Sequence, residues 1–248
     1  MVRTLREQAL DKLLLLLLVN QVGRPIGDTG LQKLAFLVER ELLGNGMEGF
    51  HYVFIKLKFG PYSRDLEQDK ADLVFSEFLE DHEERGWVLS EKGRMILEQF
   101  KPVLDRNKSV VEVIRGAVSR YADLRLKDLL EFTHQLPRPL KGRKVAIGEL
   151  ANGTVLLVPH KPDKLLDVSE EEFLKLRIYL DPDVEEVLER RVLDREVLLV
   201  RYRGESGFCI FVPSLPKCMT QGESEEEALR NAEEAISLFL EAMTTATR

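Results

Sequence analysis

The sequence predicts an α+β protein with more than one domain, and three observations support this fold class. The chain has 248 residues, which is long for one domain. Apolar residues at helical spacing fill roughly the first 136 positions, whereas short β-type runs bounded by turn residues fill the rest. The hydrophobic fraction of 44% and the charged fraction of 32% are typical of a folded globular chain. We therefore expect a mainly helical domain at 1–136, a linker at 137–143, a connecting module at 144–194 and a C-terminal domain at 195–248.

Capping residues and Gly/Pro breaks set the elements expected in residues 1–136. The first helix runs from Leu5 to Asn20, and Gly23-Arg24-Pro25 ends it. In chain order, the remaining elements are a helix capped by Thr29 and ended by Gly44-Asn45-Gly46, a strand at Tyr52–Leu57, a helix from Ser63 to about Asp81, a strand at Trp87–Leu89, a helix from Ser90 to about Asp105, and helices at Val110–Tyr121 and Lys127–Gln135. The order helix, helix, strand, helix, strand and turn is that of a winged helix.

The apolar run Leu13–Val19 is too short for a membrane span. As a helix it reaches only about 10 Å, at roughly 1.5 Å per residue, against a hydrocarbon core of ~30 Å. Glu7 and Asp11 precede the run, and it has neither the positive flank nor the small-x-small cleavage site of a signal peptide. We expect a buried helix and no membrane association. Two cysteines without a disulfide-dense pattern favour a reducing, cytoplasmic location.

Three segments of the N-terminal part carry a family resemblance. They are Leu31-Gln32-Lys33-Leu34, Lys58-Phe59-Gly60-Pro61-Tyr62-Ser63 and Leu89-Ser90-Glu91-Lys92-Gly93. In this order they resemble the Panacea, or SocA-like, antitoxin domain family, whose members show an L-Q-K-L helix, an aromatic-Gly-Pro turn and a late E-K-G turn. The resemblance covers about half the chain. It implies a winged-helix-like domain that acts as an antitoxin or as an adaptor in proteolysis.

The charge of the predicted third helix argues against DNA binding by this domain. Residues 63–81 contain two basic and seven acidic side chains, a net charge of −5. Because DNA affinity depends heavily on neutralising phosphates, we favour a protein-binding role. The alternative is a transcriptional regulator that binds operator DNA, with the C-terminal domain dimerising or sensing a ligand. The DNA-binding residues would then be the basic residues that flank the turns, namely Arg24, Lys56, Lys58, Lys92 and Arg94.

The connecting module is predicted as a small β-hairpin followed by helices. Pro137–Arg143 is the best linker because it is basic and broken by two prolines. Asn152-Gly153 lies between two β-type runs, at 145–149 and 155–159, which predicts a hairpin. Ser169 begins a helix with a capping box, and Asp181-Pro182 predicts another short helix.

The C-terminal domain is predicted as a β-hairpin followed by a long helix. Gly204-Glu205-Ser206-Gly207 separates two β-type runs, Val197–Arg203 and Phe208–Pro213. Ser224 and Glu227 have the spacing of a capping box. One apolar stripe follows at spacings of three and four residues, at Leu229, Ala232, Ile236, Phe239 and Met243.

Three segments in residues 208–240 carry a second resemblance. They are Pro213-Ser214-Leu215-Pro216-Lys217-Cys218, Thr220-Gln221-Gly222 and Glu226-Glu227-Ala228-Leu229-Arg230-Asn231-Ala232. Together they resemble HicB antitoxins, which show P-x-L-P-x-C, T-Q-G and an E-E-A-L-x-N-A helix. The resemblance implies a partial ribonuclease H-like fold, a sheet plus a long helix. HicB antitoxins bind HicA toxins, which are small, basic, RNA-cleaving proteins, and HicB-like domains commonly associate, so a homodimer is expected by analogy.

The partner-binding residues expected from this resemblance lie in the proline-bracketed loop and on the acidic helix. They are Phe211, Pro213, Leu215, Pro216, Glu226 and Glu233. An acidic surface suits a basic toxin because complementary charge steers association. The alternatives are a rigid connection with Leu215 in the core and a merely solvated acidic face.

The sequence contains no signature of a cofactor, a metal site or a catalytic site. The four histidines have no paired spacing, and Cys209 and Cys218 suit buried structural roles. The C-terminal strands lack the several inward carboxylates that a metal-dependent nuclease needs. We therefore hypothesise a non-enzymatic antitoxin that neutralises a cognate toxin, HicA-like or other, by covering its active surface. A third hypothesis is a protein-binding module without a toxin partner.

Overall fold

The computed structural model describes residues 2–140, 143–159 and 162–246. The chain divides into two compact units, which we call unit 1 (Met1–Asp167) and unit 2 (Val168–Arg248). This boundary falls inside the segment 144–194 that was predicted as one connecting module. The α+β class is confirmed. Lys141 and Gly142 of the predicted linker, and His160, lie outside the described residues.

The described residues of unit 1 form a mainly helical structure with small antiparallel sheets. The helices are α1 (Leu5–Val22), α2 (Asp28–Gly44), α3 (Arg64–Phe75), α4 (Glu91–Gln99), α5 (Lys101–Arg106), α6 (Lys108–Tyr121) and α7 (Leu126–Gln135). The strands are β1 (Phe54–Leu57), β2 (Gly60–Tyr62), β3 (Leu79–Asp81), β4 (Trp87–Leu89), β5 (Pro137–Leu140), β6 (Arg143–Ala146) and β7 (Val155–Leu157). They pair in the orders β2-β1-β7, β3-β4 and β5-β6. The winged-helix assignment stays a prediction.

The leucine run forms a buried helix, as expected. Thr4 and Glu7 form a capping box at the start of α1, and Gly23 ends it in the left-handed conformation. Leu15, Leu16 and the neighbouring leucines are buried in the core of unit 1. Among the described residues, no helix combines the length and the apolar content that crossing a membrane requires.

Strand pairing in the structure contradicts three predictions for unit 1. The helix that Ser63 caps ends at Phe75 and not near Asp81, because Leu79–Asp81 pairs with β4. The predicted linker instead begins a hairpin, in which β5 pairs with β6. The hairpin predicted at Asn152-Gly153 is wrong, because β7 pairs with β1, about a hundred residues earlier. Local turn chemistry cannot indicate so distant a partner.

Unit 2 is a four-stranded antiparallel sheet covered by a helix on each face. Its elements are α8 (Glu170–Tyr179), β8 (Val184–Val192), β9 (Arg195–Tyr202), β10 (Phe208–Phe211), β11 (Met219–Gly222) and α9 (Glu225–Ala246), with the strands in the order β11-β10-β9-β8. Val197 and Leu199 of β9 pack with α9, whereas Leu198 and Val200 pack in a second cluster with Ile178 of α8. Burial on both faces explains the continuous apolar run in β9.

Strand β8 is the main correction in unit 2. The short helix predicted at Asp181-Pro182 is wrong, because the chain enters β8, which pairs along its length with β9. The connecting turn is Leu193-Asp194, with φ of 48° and 58°. A turn with two positive φ values is typical of hairpins but usually contains Asn or Gly. Leu193-Asp194 lacks this signal, so the turn could not be predicted from the sequence. The domain boundary predicted between 194 and 195 therefore cuts a paired hairpin.

Candidate partner-binding surface

The glycines of the C-terminal motifs allow the backbone segments of unit 2 to pack closely. Gly204 and Gly207, in the predicted β9–β10 turn, have φ of 76° and 86°. A Cβ on Gly207 would lie 2.6 Å from the carbonyl oxygen of Gly222. A Cβ on Gly222 would lie 2.4 Å from the backbone nitrogen of Ala228 in α9. Gly207 and Gly222 are therefore explained by the packing of β10, β11 and α9, whereas Gly204 is explained by its positive φ.

Polar and apolar residues of the same motifs hold α9 on the sheet. Asn231 donates from Nδ2 to the carbonyl oxygen of Gln221 in β11 at 2.8 Å. Cys218 belongs to the buried cluster under α9. Burial raises the pKa of the Cys218 thiol and also that of the Cys209 thiol. Both thiols are therefore poor nucleophiles near neutral pH.

The proline-bracketed loop places its residues in different environments. Leu215 is only 7% exposed and packs in the core beneath α9, which corrects its assignment as a contact residue. Pro213 is also buried, and Phe211 packs partly buried in the cluster on the α8 side. Pro216 is exposed. Of this set, Pro216 is the most accessible residue, and Phe211 is partly accessible.

The acidic residues of α9 divide into two groups. Glu225 and Glu227 have structural contacts: Arg190 donates to Glu225 at 2.6 Å, and Glu227 accepts from the backbone N–H of Glu223 at 3.0 Å. Their positions in the first turn also favour the helix dipole. The expected contact residues Glu226 and Glu233 are exposed.

We call the exposed side of α9 the acidic face. It consists of Glu226, Arg230, Glu233, Glu234, Leu238 and Glu241. Within the described residues, Glu226, Glu233 and Glu234 form no ion pair. Leu238 is 58% exposed, which makes it an apolar point on a charged surface. Met243, which was predicted on the apolar stripe, is exposed as well.

The basic residues considered for DNA binding do not form one surface. Lys56 is buried and donates to the carbonyl oxygen of Leu57, so its assignment as a phosphate contact is corrected. Arg24 and Arg94 line one cleft of about 370 Å³, which Glu80 also lines. Lys58 lies 5.4 Å from the ring of Phe59, and Lys92 donates to the carbonyl oxygen of Ser76.

Unit 1 contains a buried charged network that sequence reasoning missed. Arg3 donates to Asp11 at 2.8 Å and to Asp69 at 2.6 Å. His51 Nδ1 lies 2.9 Å from Asp11 Oδ1. Burial opposes a charge on His51, but its contacts with Asp11 and Glu48 raise the pKa of His51 to about 10. The network therefore pairs opposite charges from distant parts of the chain, for which the sequence has no local signal.

Comparison with known proteins identifies the C-terminal part. Residues 197–248 match the family described as HicB_like antitoxin of bacterial toxin-antitoxin system, so unit 2 contains a HicB-like antitoxin domain. A UPF0150 protein of Helicobacter pylori (strain J99) is 55% identical over 38 residues, which are 15% of this chain and 53% of that protein. The chain thus spans about half the length of this curated relative. No solved structure matches the chain. These matches do not test the Panacea/SocA-like resemblance of residues 1–136, which stays a prediction.

Proposed function

We propose that this protein is a non-enzymatic antitoxin that binds a cognate toxin with the acidic face of unit 2. The toxin, HicA-like or other, is neutralised because the bound antitoxin covers its active surface. The observation that carries the proposal is the combination of the HicB-like domain with Glu226, Glu233 and Glu234, which are exposed and form no ion pair within the described residues. Such carboxylates are available to cations of a partner.

The charge distribution supports a small basic partner. Residues 168–248 contain 18 acidic and 10 basic side chains, whereas residues 1–167 contain 25 acidic and 26 basic. The negative charge of the chain is thus concentrated in the unit with the HicB-like domain. Complementary charge steers association, and the exposed Leu238 supplies an apolar contact at the edge of the acidic face.

Charge reversal on the acidic face tests the proposal. The full chain is titrated calorimetrically with a small basic toxin of the HicA type. We expect Glu226→Lys combined with Glu233→Lys to raise Kd at least about tenfold. Glu205→Lys is the matched control, because Glu205 is exposed on the β9–β10 turn of the same unit.

A growth assay connects binding to function. The wild-type chain and Glu205→Lys should rescue cells that express the toxin, and the double variant should not. Equal affinity and equal rescue by the double variant would contradict the role of the acidic face. If the wild-type chain neither binds nor rescues, the antitoxin function itself is wrong. Molar mass measured in solution would also test the homodimer expected by analogy.

A further inference from the structure

Three basic side chains meet beside the β1–β2 turn of unit 1. Lys33 of α2 is 3% exposed and Lys56 of β1 is 5% exposed. The Nε2 atom of His134 in α7 is buried. A Cβ on Gly60 would lie 3.1 Å from ring atoms of His134 and 3.5 Å from Cε of Lys33. Gly60, with φ of 91°, therefore lets the turn pack against both side chains.

No carboxylate neutralises these groups within the described residues. Lys33 donates from Nζ to the carbonyl oxygen of Pro61 at 2.8 Å, and Lys56 donates to that of Leu57 at 2.9 Å. Nε2 of His134 has no hydrogen-bond partner in the part of the chain that the structure describes. The buried Lys70, in contrast, pairs with two carboxylates.

Burying like charges without a counter-charge is unfavourable, so the pKa values of Lys33 and His134 are lowered. Burial and the charge of Lys56 lower the pKa of Lys33 to about 8. Burial and the two lysines also lower the pKa of His134. Three basic groups at one place, with two carbonyl hydrogen bonds and no counter-charge among the described residues, form a positive site that favours an anionic ligand.

The adjoining cleft limits the charge and shape of that ligand. The cleft has a volume of about 230 Å³, and Lys33, Phe59, Gly60 and Tyr62 are among its lining residues. Its lining also contains two carboxylates, those of Asp28 and Glu67, both paired with Lys70. These carboxylates repel a multiply charged phosphate or a nucleic-acid backbone more strongly than a single carboxylate. The aromatic side chains favour an apolar group next to the anion.

We infer that this cleft binds a ligand in which one carboxylate adjoins an apolar or aromatic group. Lys33 takes the carboxylate, Lys56 adds positive potential behind it, and the apolar group lies against Phe59 and Tyr62. His134 is neutral in the free protein and more readily protonated once the anion is bound. The ligand is either a free organic acid or the C-terminal carboxylate of a peptide. This site belongs to unit 1 and does not depend on toxin binding by unit 2.

The test follows the His134 ring by NMR in the full-length protein, with His134→Gln to assign the signal. Benzoate, phosphate and a short acetylated peptide ending in phenylalanine are added separately at constant ionic strength. We expect a saturable shift with benzoate or the peptide and a higher pKa of His134 in the bound state, because a carboxylate stabilises the imidazolium. Lys33→Met should weaken binding at least about tenfold, whereas Lys108→Met, at an exposed position on α6, should not.

Each outcome decides the proposal. Stronger binding of the peptide than of its C-terminal amide supports a protein ligand, and stronger binding of benzoate than of the peptide supports a free acid. Absence of a saturable shift, a phosphate response equal to that of benzoate, or unchanged affinity in Lys33→Met overturns it. If Lys33→Met does not fold, Lys56→Met replaces it with the same expectation. Toxin binding by the acidic face is measured on the same samples, so failure of one proposal is distinct from failure of the other.

Discussion

The two units differ in where their charged side chains lie. Unit 1 buries many ionisable side chains, namely Asp11, Lys12, Lys33, Glu39, Glu48, Lys56, Asp69 and Lys70. The described residues of unit 2 bury no charged side chain, and the cores on both sides of its sheet are apolar. Several buried charges in unit 1 thus pair across distant segments, whereas the charges and ion pairs of unit 2 lie at its surface.

This difference separates two roles of charge in one chain. A buried charge requires specific partners, so in unit 1 the charged residues restrict which segments can pack together. An exposed charge contributes little to folding stability, so the exposed glutamates of unit 2 are available for binding a partner without a cost to the fold. Substitutions should therefore affect stability in unit 1 at charged positions and in unit 2 at apolar positions.

The largest effect is expected for Asp11→Asn in unit 1. Asp11 contacts both Arg3 and His51, and removing its charge leaves Arg3 with Asp69 alone and His51 with Glu48 alone. We expect a loss of about 3–5 kcal/mol in the free energy of unfolding. Urea unfolding followed by fluorescence of Trp87, the single tryptophan of the chain, measures it in this unit.

Asp123→Asn is the control, because the Asp123 side chain is 94% exposed. Its free energy of unfolding should change by less than about 0.5 kcal/mol. Equal effects of the Asp11 and Asp123 substitutions would show that the buried network is not what stabilises unit 1.

A slightly smaller effect is expected for Ile236→Ala in unit 2. Ile236 is fully buried under the sheet, and its truncation should lower stability by about 2–4 kcal/mol. Hydrogen exchange of the β9 amides reports the change, since Trp87 lies in the other unit. Leu238 lies on the exposed side of the same helix, so Leu238→Ala should change the exchange rates of the β9 amides very little. A comparable effect of both substitutions would contradict the placement of α9.

The smallest effect is a pH dependence in unit 1 caused by Glu39. Burial raises the pKa of Glu39 from 4.5 to about 8, and the hydrogen bond from the Phe50 N–H opposes this only in part. The folded protein therefore holds a proton that the unfolded chain releases above pH 4.5. Its stabilising contribution is complete below that pH and is lost as the pH rises towards 8, by about 1 kcal/mol per pH unit.

Urea unfolding at four pH values between about 4.8 and 5.5, followed by Trp87 fluorescence, measures this slope where His51 is largely protonated in both states, since its unfolded pKa is 6.5. Glu39→Gln should remove the contribution of one proton to the slope, which is about 1 kcal/mol per pH unit. Glu112→Gln, at an exposed position on α6, should retain the wild-type slope. An unchanged slope in Glu39→Gln would mean that Glu39 is ionised in the folded state.

Much of the candidate surface in unit 2 could be predicted because its signals are local. The turn at Gly204–Gly207, the start of α9 at Ser224 and the exposure of Glu226 and Glu233 all follow from neighbouring residues or helical spacing. The burial of Leu215 could not be distinguished from exposure, because a leucine between two prolines fits both. Only the packing of the loop beneath α9 decided it.

By itself the sequence determined the α+β class, the buried leucine helix, the helices capped by Ser63 and Ser169 and the HicB-like end of the chain. These features depend on periodicity, caps and short motifs, which act over a few residues. The cap predicted at Thr29 is wrong, because α2 begins at Asp28 after Gly27. Tertiary structure alone decided that β7 joins β1, that β8 joins β9 through Leu193-Asp194, and that Lys33, Lys56 and His134 meet. The reason is that pairing between distant strands and the meeting of buried charges depend on which segments become neighbours, and no local pattern records that choice.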